Sequence, residues 1–140
     1  MLDISKLSEK YIVKKLTQED FELVYNLQKG NPLYFEYCPP NPSLQGVLND
    51  MKALPPTKEY KDKYYIGFFE EENLIAVIDL IAEFPNKDTM YIGFFMVGNE
   101  YSGKNIGSMI IKTCLKEFQA QGFSFVRLGY MKGNPQSKAF

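Results

Sequence analysis

Tyr91-Ile-Gly-Phe-Phe-Met-Val97 is a continuous apolar run of strand length, and Gly98-Asn-Glu-Tyr-Ser-Gly-Lys-Asn-Ile-Gly107 follows it directly. A strand of this composition is expected to be buried on both faces, inside a sheet. Gly122 stands where a helix often ends in the left-handed conformation. The pattern predicts a strand, a glycine-containing loop and a helix. Apolar residues recur at helical spacing before that glycine: Ile106, Met109, Ile110, Cys114 and Phe118.

The loop between this strand and this helix is predicted to bind an anion. Free backbone N–H groups and the positive end of the helix dipole point at the same place there, which suits phosphate groups. Gly103 and Gly107 allow close approach of the backbone, and Lys104 supplies a cation. The alternative for Lys104 is a solvated loop lysine.

Gly98 to Asn105 also matches the P-loop pattern G-x-x-x-x-G-K up to its last position. There Asn105 replaces the Ser or Thr whose hydroxyl would bind magnesium. A P-loop nucleotide enzyme is therefore an alternative, disfavoured by Asn105 and by the antiparallel strands described below.

Length and composition predict one soluble domain, residues 1–140, that is neither disordered nor membrane-spanning. Hydrophobic residues make up 45% of the chain and charged residues 24%, which is ordinary for a globular protein. A net charge of −1 gives no basic surface for nucleic acid. The chain has no His, which excludes a His/Cys zinc site, and its two cysteines, Cys38 and Cys114, imply no disulfide framework. The polar N-terminus does not resemble a signal peptide, so a cytoplasmic location is expected.

The first third of the chain predicts one strand and two helices. Tyr11 to Lys15 is a short strand, and Thr17-Gln-Glu-Asp20 resembles a capping box that starts a helix ending at Gly30. Ser43 caps a second helix, which Pro55-Pro56 ends. The residues predicted to face inward are Phe21, Val24, Leu27, Leu44, Val47, Leu48 and Met51.

Between those helices, Leu33 to Cys38 has the length of about one helical turn. Its aromatic residues Tyr34, Phe35 and Tyr37 either line an acceptor pocket or fill the core.

The middle of the chain predicts an antiparallel meander. Lys63 to Phe69 and Leu74 to Phe84 are strand-like and are joined by the acidic turn Glu70 to Asn73. Pro85 to Asp88 turns the chain into the central strand. After the long helix, Phe123 to Tyr130 is a further strand, which is expected to run parallel to the central one.

This order of elements, strand, two helices, three strands, loop, helix and strand, resembles the GNAT superfamily of acyl-CoA-dependent N-acyltransferases. The family's loop pattern is Q/R-x-x-G-x-G/A, where this chain has Ser102-Gly-Lys-Asn-Ile-Gly107 and retains only the last glycine. Asn134 to Phe140 resembles the family's N-x-x-(A/S) start of the next helix. The resemblance implies an α+β fold (α/β in some schemes), with a mixed, mostly antiparallel sheet flanked by helices.

The resemblance also implies a binding site for acetyl-CoA as co-substrate, without a metal. In the family, the pantetheine arm adds alongside the fourth strand and the pyrophosphate lies on backbone amides of the loop. Carried over residue by residue, the cofactor-binding positions are Phe95, Met96, Val97, Ser102, Gly103, Lys104, Asn105, Ile106, Gly107 and Asn134.

The reaction implied is attack by a neutral amine on the thioester carbonyl, for which a general base helps. Many family members carry a carboxylate near the start of the fourth strand, where this chain has Tyr91 and Gly93. Asp79 and Glu83, of the same parity on the preceding strand, are the candidates to replace it. Asp79 lies within an apolar run, so its alternative role is a structural hydrogen-bond acceptor, and the alternative for Glu83 is a solvated side chain.

The family's general acid, a Tyr, would come directly after Phe140. We therefore expect either a truncated chain or completion of the site from elsewhere, and an uncovered edge at Phe123 to Tyr130 that pairs two copies as a homodimer. The function implied is transfer of an acetyl group from acetyl-CoA to a primary amine of a small molecule or peptide. The alternative is a non-catalytic acyl-CoA-binding or interaction module.

Overall fold

The protein folds around one mixed β-sheet. The computed structural model describes residues 2–37, 41–101 and 103–129, and for Leu33 and Tyr37 it describes the backbone alone. The strands of this described part lie in the order in which they occur along the chain, and neighbours are antiparallel except for the parallel β4–β5 pair. The predicted meander and the predicted parallel last strand are confirmed. The strands are β1 (Ile12–Lys15), β2 (Lys63–Glu70), β3 (Asn73–Ala82), β4 (Thr89–Val97) and β5 (Phe125–Leu128).

Helices cover both faces of the sheet. The helix α4 (Ile106–Ala120) packs on one face through Ile110, Cys114 and Phe118, all buried. The other face is covered by α1 (Phe21–Lys29) and α3 (Leu44–Lys52), with the short α2 (Pro32–Tyr37) between them in sequence. The result is a mixed α+β architecture, as the sequence predicts.

Local signals account for the helix ends. The Asp20 carboxylate accepts a hydrogen bond from the Thr17 N–H at 2.9 Å, and the Ser43 hydroxyl accepts one from the Gly46 N–H at 2.9 Å. Both caps satisfy N–H groups that a helix leaves unpaired at its start. Gly122 has a φ of +104°, which confirms the predicted left-handed residue after α4.

The apolar patterns of α3 and α4 are wider than the buried stripes of these helices, since Leu44 is 39% exposed and Met109 is 37% exposed. β3 ends at Ala82 rather than at the expected Phe84. β5 begins at Phe125 rather than at Phe123. Tyr130 lies outside the described residues.

A β-bulge between β2 and β3 sets which side chains share a face. Phe69 pairs with Leu74 but Phe68 pairs with Ala76, so Ile75 is an extra residue on β3. Because side chains alternate between the two faces of a strand, this extra residue changes which β3 side chains share a face with a given β2 side chain beyond the bulge.

A second bulge lies in β4. Asp79 pairs with Phe94 and Leu80 pairs with Ile92, which leaves Gly93 without a residue opposite it. Ile92 therefore packs toward α4, whereas Phe94, two positions later, packs toward α1 and α3. The bulge places Phe94 and the Asp79 carboxylate on the same face.

Within the described part of the chain, no helix combines the length and apolar character needed to cross a bilayer.

Candidate active site

The described pairing between the parallel strands β4 and β5 covers the first part of β4. Their last pair is Ile92 with Leu128, and the Gly129 N–H then donates to the Ile92 carbonyl at 2.8 Å. β4 continues for five more residues, to Val97, and no described strand pairs with its β5-facing edge there. Asn31, which follows α1, contacts the end of β4, since its side-chain amide donates a hydrogen bond to the Val97 carbonyl at 3.4 Å. The gap between β4 and β5 that the family resemblance implies stays a prediction, because the chain after Gly129 lies outside the described residues.

The loop after β4 leads into the N-terminus of α4. Gly103 has a φ of +78° and Asn105 a φ of +61°, and two left-handed residues so close together turn the chain sharply into the helix. The Asn105 carbonyl accepts the first helical hydrogen bond, from the Met109 N–H at 3.0 Å. The N–H groups of residues 106–108 therefore have no acceptor within the helix. This geometry suits an anion, and Lys104 is exposed beside it.

A cavity of about 320 Å³ lies on the other side of the bulge, between the sheet and the helices α1 to α3. Tyr34 and Phe35 line it, so these predicted aromatic residues lie in a cavity wall, whereas the Tyr37 side chain is outside the described residues. The sheet contributes Asp79, Gly93 and Phe94. Gly93 is also the first residue of β4 past its last described pair with β5.

Asp79 stands at the inner end of this cavity. A Cβ atom placed on Gly93 would lie 3.5 Å from Asp79 Oδ2, so the carboxylate stands directly beside the glycine. The Lys63 ammonium donates to the same oxygen at 3.2 Å and to the Ala53 carbonyl at 2.7 Å. Oδ1 is buried and has no hydrogen-bond partner among the described residues.

Burial raises the pKa of the Asp79 carboxyl from 3.8 to about 6, an effect that the Lys63 ammonium reduces and the charge of Asp50 increases. Oδ2 makes an ion pair with Lys63, which fits the structural role, and the role of Asp79 as a general base stays a prediction. A carboxylate with this pKa is ionised at neutral pH and still basic enough for general-base catalysis.

Glu83 is placed elsewhere. β3 ends at Ala82, and Glu83 has a φ of +56°, so strand alternation does not carry it to the face of Asp79. The residue is exposed and does not line the cavity, which is the solvated alternative. The expectation that the two acidic residues share a face is therefore wrong.

The predicted cofactor-binding residues that the structure describes lie at the end of β4 and at the start of α4. Phe95, Met96 and Val97 form the end of β4, and Met96 is 4% exposed. Gly103, Lys104, Asn105, Ile106 and Gly107 form the turn and the first residues of α4. Ser102 and Asn134 lie outside the described residues, and their assigned roles stay predictions.

Sequence reasoning missed three polar residues around Asp79: Lys63, Asp50 and Tyr65. Lys63 and Tyr65 share the face of Asp79 because of the bulge in the hairpin, and Asp50 lies on α3. The one available signal was Lys63 at the start of an otherwise apolar strand, where a buried cation needs a carboxylate partner.

The family comparison applies to most of the chain. A sequence profile described as the acetyltransferase (GNAT) family matches residues 21–140. The chain belongs to this GNAT acetyltransferase family. The family performs acetyl transfer with acyl-CoA. Within the described residues, no group of three or more potential metal ligands is found.

Solved structures show the same fold at low sequence identity. An acetyltransferase from Thermus thermophilus has a TM-score of 0.76 at 19% identity, over 94% of this chain and 82% of that one. The PaiA N-acetyltransferase from Thermoplasma acidophilum, in complex with coenzyme A, has a TM-score of 0.64 at 16% identity, over 93% and 85%. The ribosomal-protein-S18-alanine N-acetyltransferase from Escherichia coli has a TM-score of 0.64 at 11% identity, over 92% and 72%. A sequence search of curated proteins finds no significant match.

Proposed function

We propose that this GNAT domain transfers the acetyl group of acetyl-CoA to a primary amine of a small molecule or peptide. One observation carries the proposal: Asp79 and Gly93 line the cavity next to the last described pair of β4 and β5. A thioester lying along the end of β4 and an amine in the cavity would meet there, beside the Asp79 carboxylate.

On the coenzyme side, backbone rather than side chains supplies the binding groups. The pantetheine arm would lie along residues 95–97, where β4 extends past β5. The pyrophosphate would accept hydrogen bonds from the N–H groups at the start of α4, where the helix dipole adds to the attraction. This explains how Ser102 and Asn105 can depart from the family's loop pattern while a phosphate site is kept.

On the acceptor side, the chemistry needs a neutral amine. An alkyl amine with a pKa of about 10.4 is uncharged in only about one molecule per thousand at neutral pH. When its nitrogen bonds to the thioester carbonyl carbon, the N–H becomes strongly acidic, and the Asp79 carboxylate accepts that proton. The carbon–sulfur bond then breaks, which releases coenzyme A as a thiolate and leaves the amide.

Ligand binding and turnover test the proposal separately. Acetyl-CoA at 100 times its dissociation constant should stabilise the folded protein by about 2.7 kcal/mol, which raises Tm by several degrees. ATP with magnesium should not. Thiol release with a panel of primary amines then measures turnover. Stabilisation without thiol release would favour the non-catalytic acyl-CoA-binding module, and stabilisation by ATP alone would overturn the assignment.

Lys104→Ala is expected to raise the Kd for coenzyme A several-fold, because an exposed ammonium next to the α4 N-terminus would contact the pyrophosphate. The effect should shrink as the salt concentration rises, since such contacts are screened. Lys112→Ala, which removes an exposed lysine further along the same helix, is the matched control. Equal Kd values for wild type and Lys104→Ala at low salt would identify Lys104 as a solvated loop residue.

A further inference from the structure

Lys63, the first residue of β2, contacts two residues that line the cavity without lining it itself. Its side chain is 4% exposed. The ammonium donates to the Ala53 carbonyl at 2.7 Å and to Asp79 Oδ2 at 3.2 Å. Lys63 therefore joins the end of α3 to the carboxylate that we propose as the base.

The end of α3 helps to fix where this ammonium lies. Ala53 directly follows Lys52, the last residue of the helix. The last carbonyls of a helix have no partner within it and carry the negative end of its dipole, so a cation is favoured there. The Tyr60 hydroxyl donates to the neighbouring Lys52 carbonyl at 2.9 Å. The position of the ammonium thus depends on the helix as well as on Asp79.

The ammonium also determines which Asp79 oxygen lies next to Gly93. A Cβ atom placed on Gly93 would lie 3.5 Å from Oδ2, and Gly93 lines the cavity. Oδ1 is buried. Among the described residues, Lys63 alone has a side chain that bonds to Oδ2. Without Lys63, no described side chain holds the carboxylate in this orientation.

The other titratable groups around this pair are acidic or neutral. Asp50, on α3, adds to the effect of burial on the pKa of Asp79, and the Lys63 ammonium opposes both. The same ammonium lies 5.8 Å from the centre of the Tyr65 ring on β2, and burial raises the pKa of that phenol, so it stays neutral. From β4, Gly93 and Phe94 contribute no titratable group. Lys63 is thus the cation that acts on Asp79.

Resting on the proposed acetyl transfer, we propose that Lys63 is a positioning residue of the reaction. It joins the Asp79 carboxylate to the end of α3 and so holds it beside Gly93, where the carboxylate meets the attacking amine in one orientation. Lys63 touches neither substrate, because it does not line the cavity. Its effect reaches the reaction through Asp79.

Lys63→Met separates three roles, because it removes the ammonium and keeps a side chain of similar length. A structural role alone lowers stability and leaves the kinetics of the folded protein unchanged. An electrostatic role alone raises the pKa of Asp79, so activity returns to the wild-type level once the pH is high enough to ionise the carboxyl. A positioning role leaves a loss of activity that high pH does not repair.

The experiment measures thiol release from acetyl-CoA with the primary amine of the panel that the wild type uses fastest. The pH runs from below to well above 6, the approximate pKa of Asp79. The ratio of kcat/KM in Lys63→Met to that in the wild type cancels the titration of the amine. We expect this ratio to level off at about 0.01 to 0.1 at high pH, because a slightly misplaced catalytic group costs about 10- to 100-fold. The loss should lie in kcat, with the Kd of coenzyme A unchanged.

Lys58→Met is the matched control. The Lys58 ammonium also joins a backbone carbonyl to a carboxylate, since it donates to the Glu83 carbonyl at 3.1 Å and pairs with Asp62 at 3.4 Å. Its side chain is 12% exposed, and neither partner lines the cavity. We expect a ratio near one for Lys58→Met at every pH.

The outcomes separate this inference from the function on which it rests. A ratio for Lys63→Met that returns to one at high pH would overturn the positioning role and leave acetyl transfer intact. Lys63→Gln, which is neutral and one bond shorter, gives the same test if thermal unfolding shows that Lys63→Met is not folded. If no amine releases thiol, the proposed transfer fails, and crystal structures decide the positioning role. We expect Asp79 Oδ2 to leave Gly93 in the variant, and an unmoved carboxylate would overturn the inference.

Discussion

Asp79→Asn is expected to lower kcat/KM for amine acetylation by about 10²- to 10⁴-fold, the usual contribution of a general base. Asn preserves the size of the side chain and its hydrogen-bonding capacity but cannot take a proton from the attacking amine. The dissociation constant of coenzyme A should change little, because the coenzyme lies on β4 and α4 rather than on Asp79. Steady-state kinetics and coenzyme A titration measure the two quantities.

The pH dependence gives this prediction a second readout. The active form of Asp79 is ionised, and its pKa is raised to about 6, so kcat/KM should lose one factor of ten per pH unit as the pH falls below about 6. Deprotonation of the acceptor amine adds its own slope at every pH below its pKa of about 10. The wild-type profile should therefore steepen below pH 6, whereas the Asp79→Asn profile should keep a single slope.

Glu83→Gln is the matched control, since Glu83 is exposed and lies outside the cavity. We expect it to change kcat/KM by less than about twofold, within the range of ordinary surface substitutions. A large loss with Glu83→Gln and none with Asp79→Asn would reverse the assignment of the base.

Lys63→Met is expected to destabilise the protein by about 3 to 5 kcal/mol at pH 8, because it leaves the Asp79 carboxylate in the interior without its ion-pair partner. The loss should be smaller at pH 5. The folded-state pKa of Asp79 already lies above its ordinary 3.8, and removing the nearby ammonium raises it further. The folded protein then holds a proton that the unfolded chain releases, so the free energy of unfolding falls as the pH rises through this window.

Denaturant unfolding at the two pH values measures this effect. The double variant Lys63→Met/Asp79→Asn is the control, since it removes both charges and should recover much of the stability lost at pH 8. In Lys63→Met, the pH below which kcat/KM falls more steeply should also be higher than in the wild type. An unchanged kinetic profile in Lys63→Met would show that Lys63 does not set the basicity of Asp79.

Much of the framework follows from local sequence signals. The capping residues at Thr17 and Ser43, Gly122 after α4 and the apolar run that forms β4 each have a physical effect confined to a few neighbouring residues. The order of the elements then limits the possible topologies, because hairpins and one right-handed crossover connect them. These features place the end of β4 next to the turn that begins α4, where we propose that the coenzyme binds.

The acceptor side could not be predicted in the same way, because it depends on strand register. If the turn between β2 and β3 were followed without a bulge, Asp79 would lie opposite Tyr64. With Ile75 as an extra residue it lies opposite Tyr65 instead, and Lys63 comes onto its face. The Asp79 carboxylate and the Lys63 ammonium therefore lie together because of the extra residue Ile75, which the apolar pattern does not reveal.

The sequence by itself determined the strand, turn and helix that leave backbone N–H groups free at the start of α4, since glycine, capping and apolar spacing act locally. Only the tertiary structure decided which carboxylate lines the cavity. It brought Asp79 beside Gly93 and turned Glu83 away, because two bulges change the face on which side chains project and no local propensity records them.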